Sequence, residues 1–358
     1  MNDLQTKLKN EIFALSAVMS VSGSERRAAE ELSRRFGGFD EMRTDPVGNH
    51  MFFKRCGKEG APTVLIDAHF DEIGMMVTEI CEGGFLRFCP IGGLSLSVLQ
   101  AADVTVYGKE TIRGVIISTP PHLRAGMGDK LAETDELLID TGYTKETLEK
   151  VAPVGTPVGF SPVYTELLCG RIAGKSFDDK ACAAICALAI EDTPKEELSA
   201  DVCLMLSSFE ETSRIGGIAP AVNALQPDYA MVVDVNLAKV PDTPKYETVP
   251  MGKGISISVS AATNRALTLD TEKICKSAEI PHTMAAAASS TGTNAPTVNL
   301  SGSGIPVVDI GLPLANMHTY NEVIDLADCE ALYRLVREFI TDGGLAEKFK
   351  REGEEIPL

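Results

Sequence analysis

The chain has 358 residues and a formal charge of −18. It is longer than one small core serves, and too acidic for a nucleic-acid backbone or an anionic membrane surface to be its main partner. Its composition, 44% hydrophobic and 23% charged, argues against wholesale disorder, and two domains are the starting expectation.

The N-terminal "MNDLQTKLKNE" is polar and carries no apolar signal-peptide core. Uncharged apolar stretches stop well short of the roughly 20 residues that span a bilayer. The nine cysteines are odd in number and form no CxxC pair. Cys182 and Cys186, in "ACAAICALAI", share one helix face and read as core. Unpaired buried thiols point to a reducing compartment, so a cytoplasmic protein without membrane contact is expected.

The first element is a helix over 3–19, with apolar residues at Leu4, Leu8, Ile12, Leu15 and Met19 in a helical period. "SGSE" at 22–25 has capping-box spacing, with Ser22 as cap and Glu25 three residues on, and predicts a second helix ending at Gly37-Gly38. "MRTDPVGNHMFFKR" reads as strand, turn, strand. "APTVLIDAHF" is an apolar run suited to a strand covered on both faces. From about 74 to 162 the texture changes to β-rich segments between recurring glycines and prolines, "MMVTEI", "FLRFCPI", "DVTVYG", "IRGVIIS" and "ELLIDTG". Within it only 143–151 looks helical. This predicts an inserted β domain at 74–162 in a larger domain made of 1–73 and 163–358. In the larger domain strands and helices alternate: helix 179–192, strand 201–208, helix 215–225, strand 229–235, strand 255–260, helix 264–279, strand 282–287, helix 293–301, strand 306–311 and helix 325–342. The expected fold class is α/β, a mainly parallel sheet with helices on both faces.

Ligands in such sheets collect beyond the carboxyl ends of the strands. At those ends stand His69, Asp71 and Glu72 in "TVLIDAHFDE", Glu210 and Glu211 in "VCLMLSSFEE", Asp234 in "YAMVVDV" and His318 in "PVVDIGLPLANMH". Asp178 and Asp179 open a helix in "GKSFDDKACAAICALA". Singly, each has a plain reading: a helix cap, a loop acid, a solvated turn, a surface histidine. Together they crowd carboxylates at one sheet edge, where unpaired charges repel and raise each other's pKa. Cations relieve that conflict. Two imidazoles with several carboxylates suit zinc, cobalt or manganese better than an all-oxygen calcium or magnesium site.

In this order, "AHFDEIG", "GKSFDDK", "EETSRIGG", "VVDV" followed by "DTP", and "MHTYNEVIDL" resemble the motifs of the M42 family of metallo-aminopeptidases. The resemblance extends to "DPVGN", "STPPHL", "LLIDTG" and "MGKG". It implies a zinc-peptidase-like α/β domain with an inserted, β-barrel-like dimerisation domain, two divalent metal ions per subunit, short peptide substrates, and dimers that build a tetrahedral dodecamer. His69 and Asp234 would hold one metal, Glu211 and His318 the other, and Asp178 would bridge them. Glu210 would be general base and acid in hydrolysis of the first peptide bond, and Asp71 would orient His69 through its other ring nitrogen.

Some positions depart from the usual family pattern: Thr212 and Ser213 in "EETSRIGG", Asn294 in "GTNA", and "LANMH" around Asn316. Asn294 stands where relatives often carry an acid, so weaker acceptance of basic N-terminal residues is expected. Two other classes bear on these residues. One is a relative that keeps fold and assembly without catalysis, separated by metal analysis beside a peptidase assay. The other is a glycoside hydrolase, which uses paired carboxylates but needs no histidines. Such clefts favour aromatic platforms, and this chain has no tryptophan. His122 is assigned to the insertion or a subunit contact, His50 and His282 to strands, and "MAAAASSTGTNA" to a strand running into a loop near the substrate.

Overall fold

The computed structural model describes residues 1–120, 133–212, 216–244, 248–288 and 290–351. His122 and Ser213 lie outside them. The larger unit is built on an eight-stranded sheet, in the order Glu41–Thr44, His50–Lys54, Asp201–Ser207, Thr63–His69, Tyr229–Leu237, Val307–Leu314, Ile255–Ser260, His282–Ala287. The four central strands are mutually parallel. His50–Lys54 joins them antiparallel and Glu41–Thr44 pairs antiparallel with it in turn, while the last two strands, parallel to each other, run antiparallel to Val307–Leu314. The sheet is therefore mixed, with its parallel part in the middle.

Alternation along the central strands assigns the two faces. Val64, Ile66 and Ala68 pack against Asp3–Ser16, Phe177–Glu191 and Leu326–Thr341 in one core. Leu65, with Met205 and Val232, packs on the other face against Ile218–Leu225 and Ala295–Asn299. Helices thus cover both faces. Helix Phe177–Glu191 is buried almost all round, which explains why it has no polar stripe. All nine cysteines are free, with Cys182 and Cys186 in this helix's core. His50 and His282 begin strands. Among the described residues no helix is long and apolar enough to cross a membrane.

Between Gly74 and Phe160 six strands close into a barrel, in the order Gly74–Ile80, Phe85–Ile91, Leu137–Asp140, Thr111–Ser118, Asp103–Tyr107, Pro157–Phe160. Met75, Val77, Leu86, Val104, Ile116 and Val158 belong to its separate apolar core. Strand Thr111–Ser118 shows why the chain curls there: exposed and buried residues alternate along it, the pattern of a sheet with one wet face.

The capping box expected at Ser22 does not form. Ser22 instead hydrogen-bonds through Oγ to Thr212 Oγ1 at 2.9 Å. Glu25 is buried and accepts the amides of Gly23 and Phe209. The segment begins as a tight turn, Glu25–Ala28, before helix Ala29–Arg35. Tertiary partners near the sheet edge outcompete the local cap, and burial pushes the Glu25 carboxyl up to about 7.

Candidate metal centre and active site

The parallel strands all deliver their carboxyl ends to one edge. His69 closes its strand opposite Ser207. Glu210 and Glu211 follow Ser207 around a turn in which Phe209 takes φ +59°. Asp234 lies within Tyr229–Leu237, and His318 follows Val307–Leu314 with φ +62°. Left-handed backbone at non-glycine residues is uncommon and marks positions fixed by their surroundings. Here it points Glu210 and Glu211 in different directions and aims His318 at the edge.

Asp178 is the centre of the arrangement. Its Oδ1 lies 2.9 Å from His69 Nε2, and its Oδ2 lies 3.5 Å from His318 Nε2. Glu211 Oε2 stands 3.4 Å from the same His318 nitrogen. Asp234 Oδ1 and Glu210 Oε2 stand 3.8 and 4.0 Å from His69 Nε2. All seven residues to which the resemblance assigns a role come together: six ring the cluster, and Asp71 adjoins it through His69.

Both imidazoles are held by their other nitrogen. His69 Nδ1 meets the Asp71 main-chain oxygen at 3.0 Å and the Asp71 carboxylate at 3.5 Å. His318 Nδ1 meets the carbonyl of Gly93, a barrel residue, at 3.1 Å. A cation in the cluster would meet the Nε2 lone pair of each ring, with Nδ1–H left to donate to its carbonyl. The Asp71 carboxylate accepts the amides of Glu210 and Glu211 at 3.0 and 3.2 Å. Asp71 thus links the His69 strand to the Glu210 turn as well as facing the ring.

The donor set fits a cation. Glu210, Glu211, Asp234 and Asp179 all have carboxyl pKa values raised by burial first and by neighbouring carboxylates in addition. His69 is held high despite burial, because Asp178 and Asp71 favour its charged form. Glu211 Oε1 is buried with no hydrogen-bond donor, and both buried Asp179 oxygens have only the weak Cys182 thiol to face them. Ligand atoms of His69, Asp178 and Glu211, and of His69, Asp179 and Asp234, fall within 4.8 Å of one another. Orphaned buried oxygens beside imidazole nitrogens are what a borderline divalent ion satisfies.

Sequence reasoning passed over three features. Asp179 stands among the acids expected at the sheet edge but receives no ligand role from the resemblance, yet it joins the His69–Asp234 group. Glu322, in "NEVIDL", accepts the amides of His318 and Asp178; its only signal was a charge opening an apolar strand. Glu72 is buried with Lys175 and Lys180, the two lysines of "GKSFDDK". A strand-end acid with basic residues on both sides of Asp178-Asp179 was a readable hint of an ion pair.

Asn294 does not face the substrate side. It is buried, and its Nδ2 donates to Asp67 Oδ2 at 3.0 Å and Ser207 Oγ at 2.9 Å. The expected effect of its missing charge on a basic substrate therefore has no direct contact behind it. The reason is register: Asp67 lies two residues before His69, inside the sheet, and Asn294 covers it from the helix start at Ala295.

A cleft of about 700 Å³ opens on the cluster, lined by Asp178, Glu210, Glu211, Asp234 and His318 among others. A second cavity of about 660 Å³ adjoins it, sharing Val235, Ser290, Gly292, Thr293 and Met317. The "MAAAASSTGTNA" strand and loop line this junction.

Residues 48–335 match the M42 glutamyl aminopeptidase family. The chain belongs to that family. It is accordingly an enzyme of the aminopeptidase class, a hydrolase of peptide bonds. It is 30% identical over 309 residues to a lysyl aminopeptidase of Pyrococcus furiosus, covering 85% of this chain and 87% of that one. Its fold matches an aminopeptidase of the archaeon Desulfurococcus kamchatkensis with a TM-score of 0.89 at 27% identity, over 99% of this chain and 100% of the other. It also matches the Pyrococcus horikoshii TET1 peptidase, described as assembling into a tetrahedron or a large octahedral shell. That match has a TM-score of 0.81 at 26% identity, over 93% and 99% of the two chains.

Proposed function

We propose that this M42 protein is a dinuclear metal-dependent aminopeptidase that releases N-terminal residues from short peptides. The observation that carries this reading is Asp178, whose two oxygens face two different imidazoles. His69 and Asp234 would hold one ion, His318 and Glu211 the other, with Asp178 shared; Asp179 has an oxygen within reach of the first pair. Zinc, cobalt and manganese suit this mix of nitrogen and oxygen donors. Two such ions, when bound, supply a more acidic water and a stabilising charge for the developing oxyanion.

The protein's own groups divide the remaining work. Glu210 is the most accessible acid of the cluster, with its side chain 19% exposed against 4% for Glu211 and 7% for Asp178. It faces the cleft and is free to take the proton of the attacking water and return it to the leaving amine. Burial lifts its carboxyl above the ordinary range, toward the operating pH that suits a proton shuttle. Asp71 holds the Glu210 amide and the His69 ring in one frame. The buried carboxylates favour a substrate that brings a free α-ammonium group, which restricts cleavage to chain ends.

The side chain of the first residue would enter the second cavity. Every described residue lining it is uncharged, including Leu237, Val249, Met284, Ala286 and Met317. Asp309 lies beneath, buried and hydrogen-bonded to Thr293 Oγ1 at 2.7 Å. An uncharged wall favours neutral apolar side chains over lysyl or glutamyl ones.

The barrel, within 74–162, serves as the inserted dimerisation domain on the zinc-peptidase-like frame of 1–73 and 163–358. Homo-oligomers, up to a tetrahedral dodecamer, and a cytoplasmic location complete the reading. The test is hydrolysis of leucyl, lysyl and glutamyl chromogenic amides by metal-stripped protein, with and without added Zn, Co or Mn. Metal-restored hydrolysis led by the leucyl substrate supports the reading; full hydrolysis without metal refutes it.

A further inference from the structure

We propose that Glu322 is a positioning residue that sets the spacing of the two halves of the cluster and acts chiefly on the His318 half. This rests on the dinuclear reading above. Glu322 is 1% exposed and does not line the cleft, so it does not touch substrate. Its Oε1 accepts the His318 amide at 3.0 Å, and its Oε2 accepts the Asp178 amide at 3.1 Å. One carboxylate thus pins the backbones of the shared ligand and of the distal imidazole.

The surrounding strands make that link rigid. Glu322 opens the short strand Glu322–Asp325 and pairs with Gly174 at the end of Arg171–Gly174, just before the segment that carries Asp178. On its other side, Val323 exchanges two main-chain hydrogen bonds with Ala315, both 2.9 Å, just before the turn that carries His318. Both ligand-bearing segments therefore hang from one strand, and Glu322 ties them where they leave it.

Packing alone does not call for a carboxylate here. Its charge is buried next to Asp178, and a neutral residue of the same volume would avoid that cost. The carboxylate differs from such a residue in one respect: both oxygens accept. A glutamine keeps one acceptor and turns an NH₂ group toward the other amide, where donor meets donor. The two ends do not depend on it equally. Asp178 is 6% exposed and is backed by a buried helix. The His318 ring is 34% exposed, sits on a turn, and holds a φ of +62°. Loss of the tie should release His318 first.

The test is metal binding, measured without reference to catalysis. Metal-stripped wild type and Glu322→Gln are titrated with zinc, and stoichiometry and affinity are read by calorimetry and elemental analysis. Circular dichroism of the metal-free proteins reports folding. Wild type should bind two equivalents. Glu322→Gln should bind the first with near-wild-type affinity and the second about 10- to 100-fold more weakly, the usual size of an outer-shell effect. Glu322→Asp, whose shorter arm cannot span both amides, should behave alike and serves if the glutamine variant does not fold. Wild-type binding of both equivalents by both variants, or equal weakening of both equivalents, overturns the positioning role and leaves the dinuclear reading standing. Fewer than two equivalents in wild type overturns both.

Discussion

His69 and Asp178 are 109 residues apart in the chain, yet His69 Nε2 lies 2.9 Å from Asp178 Oδ1. The other Asp178 oxygen faces His318, so a single carboxylate connects the first, second and last motifs of the chain. The expected consequences of that geometry can each be measured.

Glu210→Gln should lower kcat by about 100- to 10,000-fold, the usual range for a lost general base. Its metal content should be unchanged, since all five ligands remain. Steady-state kinetics beside elemental analysis checks this. Loss of metal together with activity would move Glu210 from proton shuttle to ligand.

Gly93→Ala should disturb His318 through the barrel. A Cβ at this position would lie 2.7 Å from His318 Nδ1, closer than atoms pack, so the ring must move off the Gly93 carbonyl. Activity should fall about 10- to 100-fold, as for other losses of a ligand's outer partner, while the thermal melting of metal-free protein stays nearly constant. Unchanged activity would show that the barrel does not orient His318.

Glu72→Gln should act on stability. Burial opposes the ionised form of Glu72, but Lys175 and Lys180 override it and hold the carboxyl down to about 2, against 4.5 ordinarily. A lowered folded-state pKa contributes stability that is complete above pH 4.5 and fades as pH falls from 4.5 to 2. Removing the charge leaves two buried lysines facing a neutral amide, a loss of about 3–5 kcal/mol. Denaturant unfolding at neutral pH should show that loss, and the variant should lack this part of the acid dependence.

Asn294→Asp should not create a lysyl preference. The new carboxylate would meet buried Asp67 in place of the present 3.0 Å hydrogen bond, and stability should fall by about 1–3 kcal/mol. An amide panel and a thermal melt measure both effects. A gain in lysyl hydrolysis would place residue 294 within reach of the substrate after all.

Much of this was readable from pattern alone, and the reason is local. Apolar runs and turn residues are visible in windows of a few residues, so the strand at Val64–Ala68 and the apolar helix expected at 179–192 can be read locally, as can the change of texture at Gly74. The rule that parallel strands present ligands at their carboxyl ends then singled out His69, Glu210 and Glu211. Long-range pairings were not readable in the same way. Nothing near Ser22 reveals that its hydroxyl seeks Thr212, so the local pattern shows only a capping signal. Asn294 looked like a cleft residue because its flanking loop is one; only the fold shows it turned inward onto Asp67. Glu322 and the Gly93 carbonyl act through main-chain atoms of distant segments, and no spacing encodes that.

The most direct measurement is the number of metal ions bound per chain, in wild type and in Asp178→Ala. Two ions should bind to purified wild type loaded with zinc, and fewer than one tightly to the variant, with peptide hydrolysis lost in step. A wild-type protein that binds no ion and still releases N-terminal residues in the presence of chelator would contradict the account.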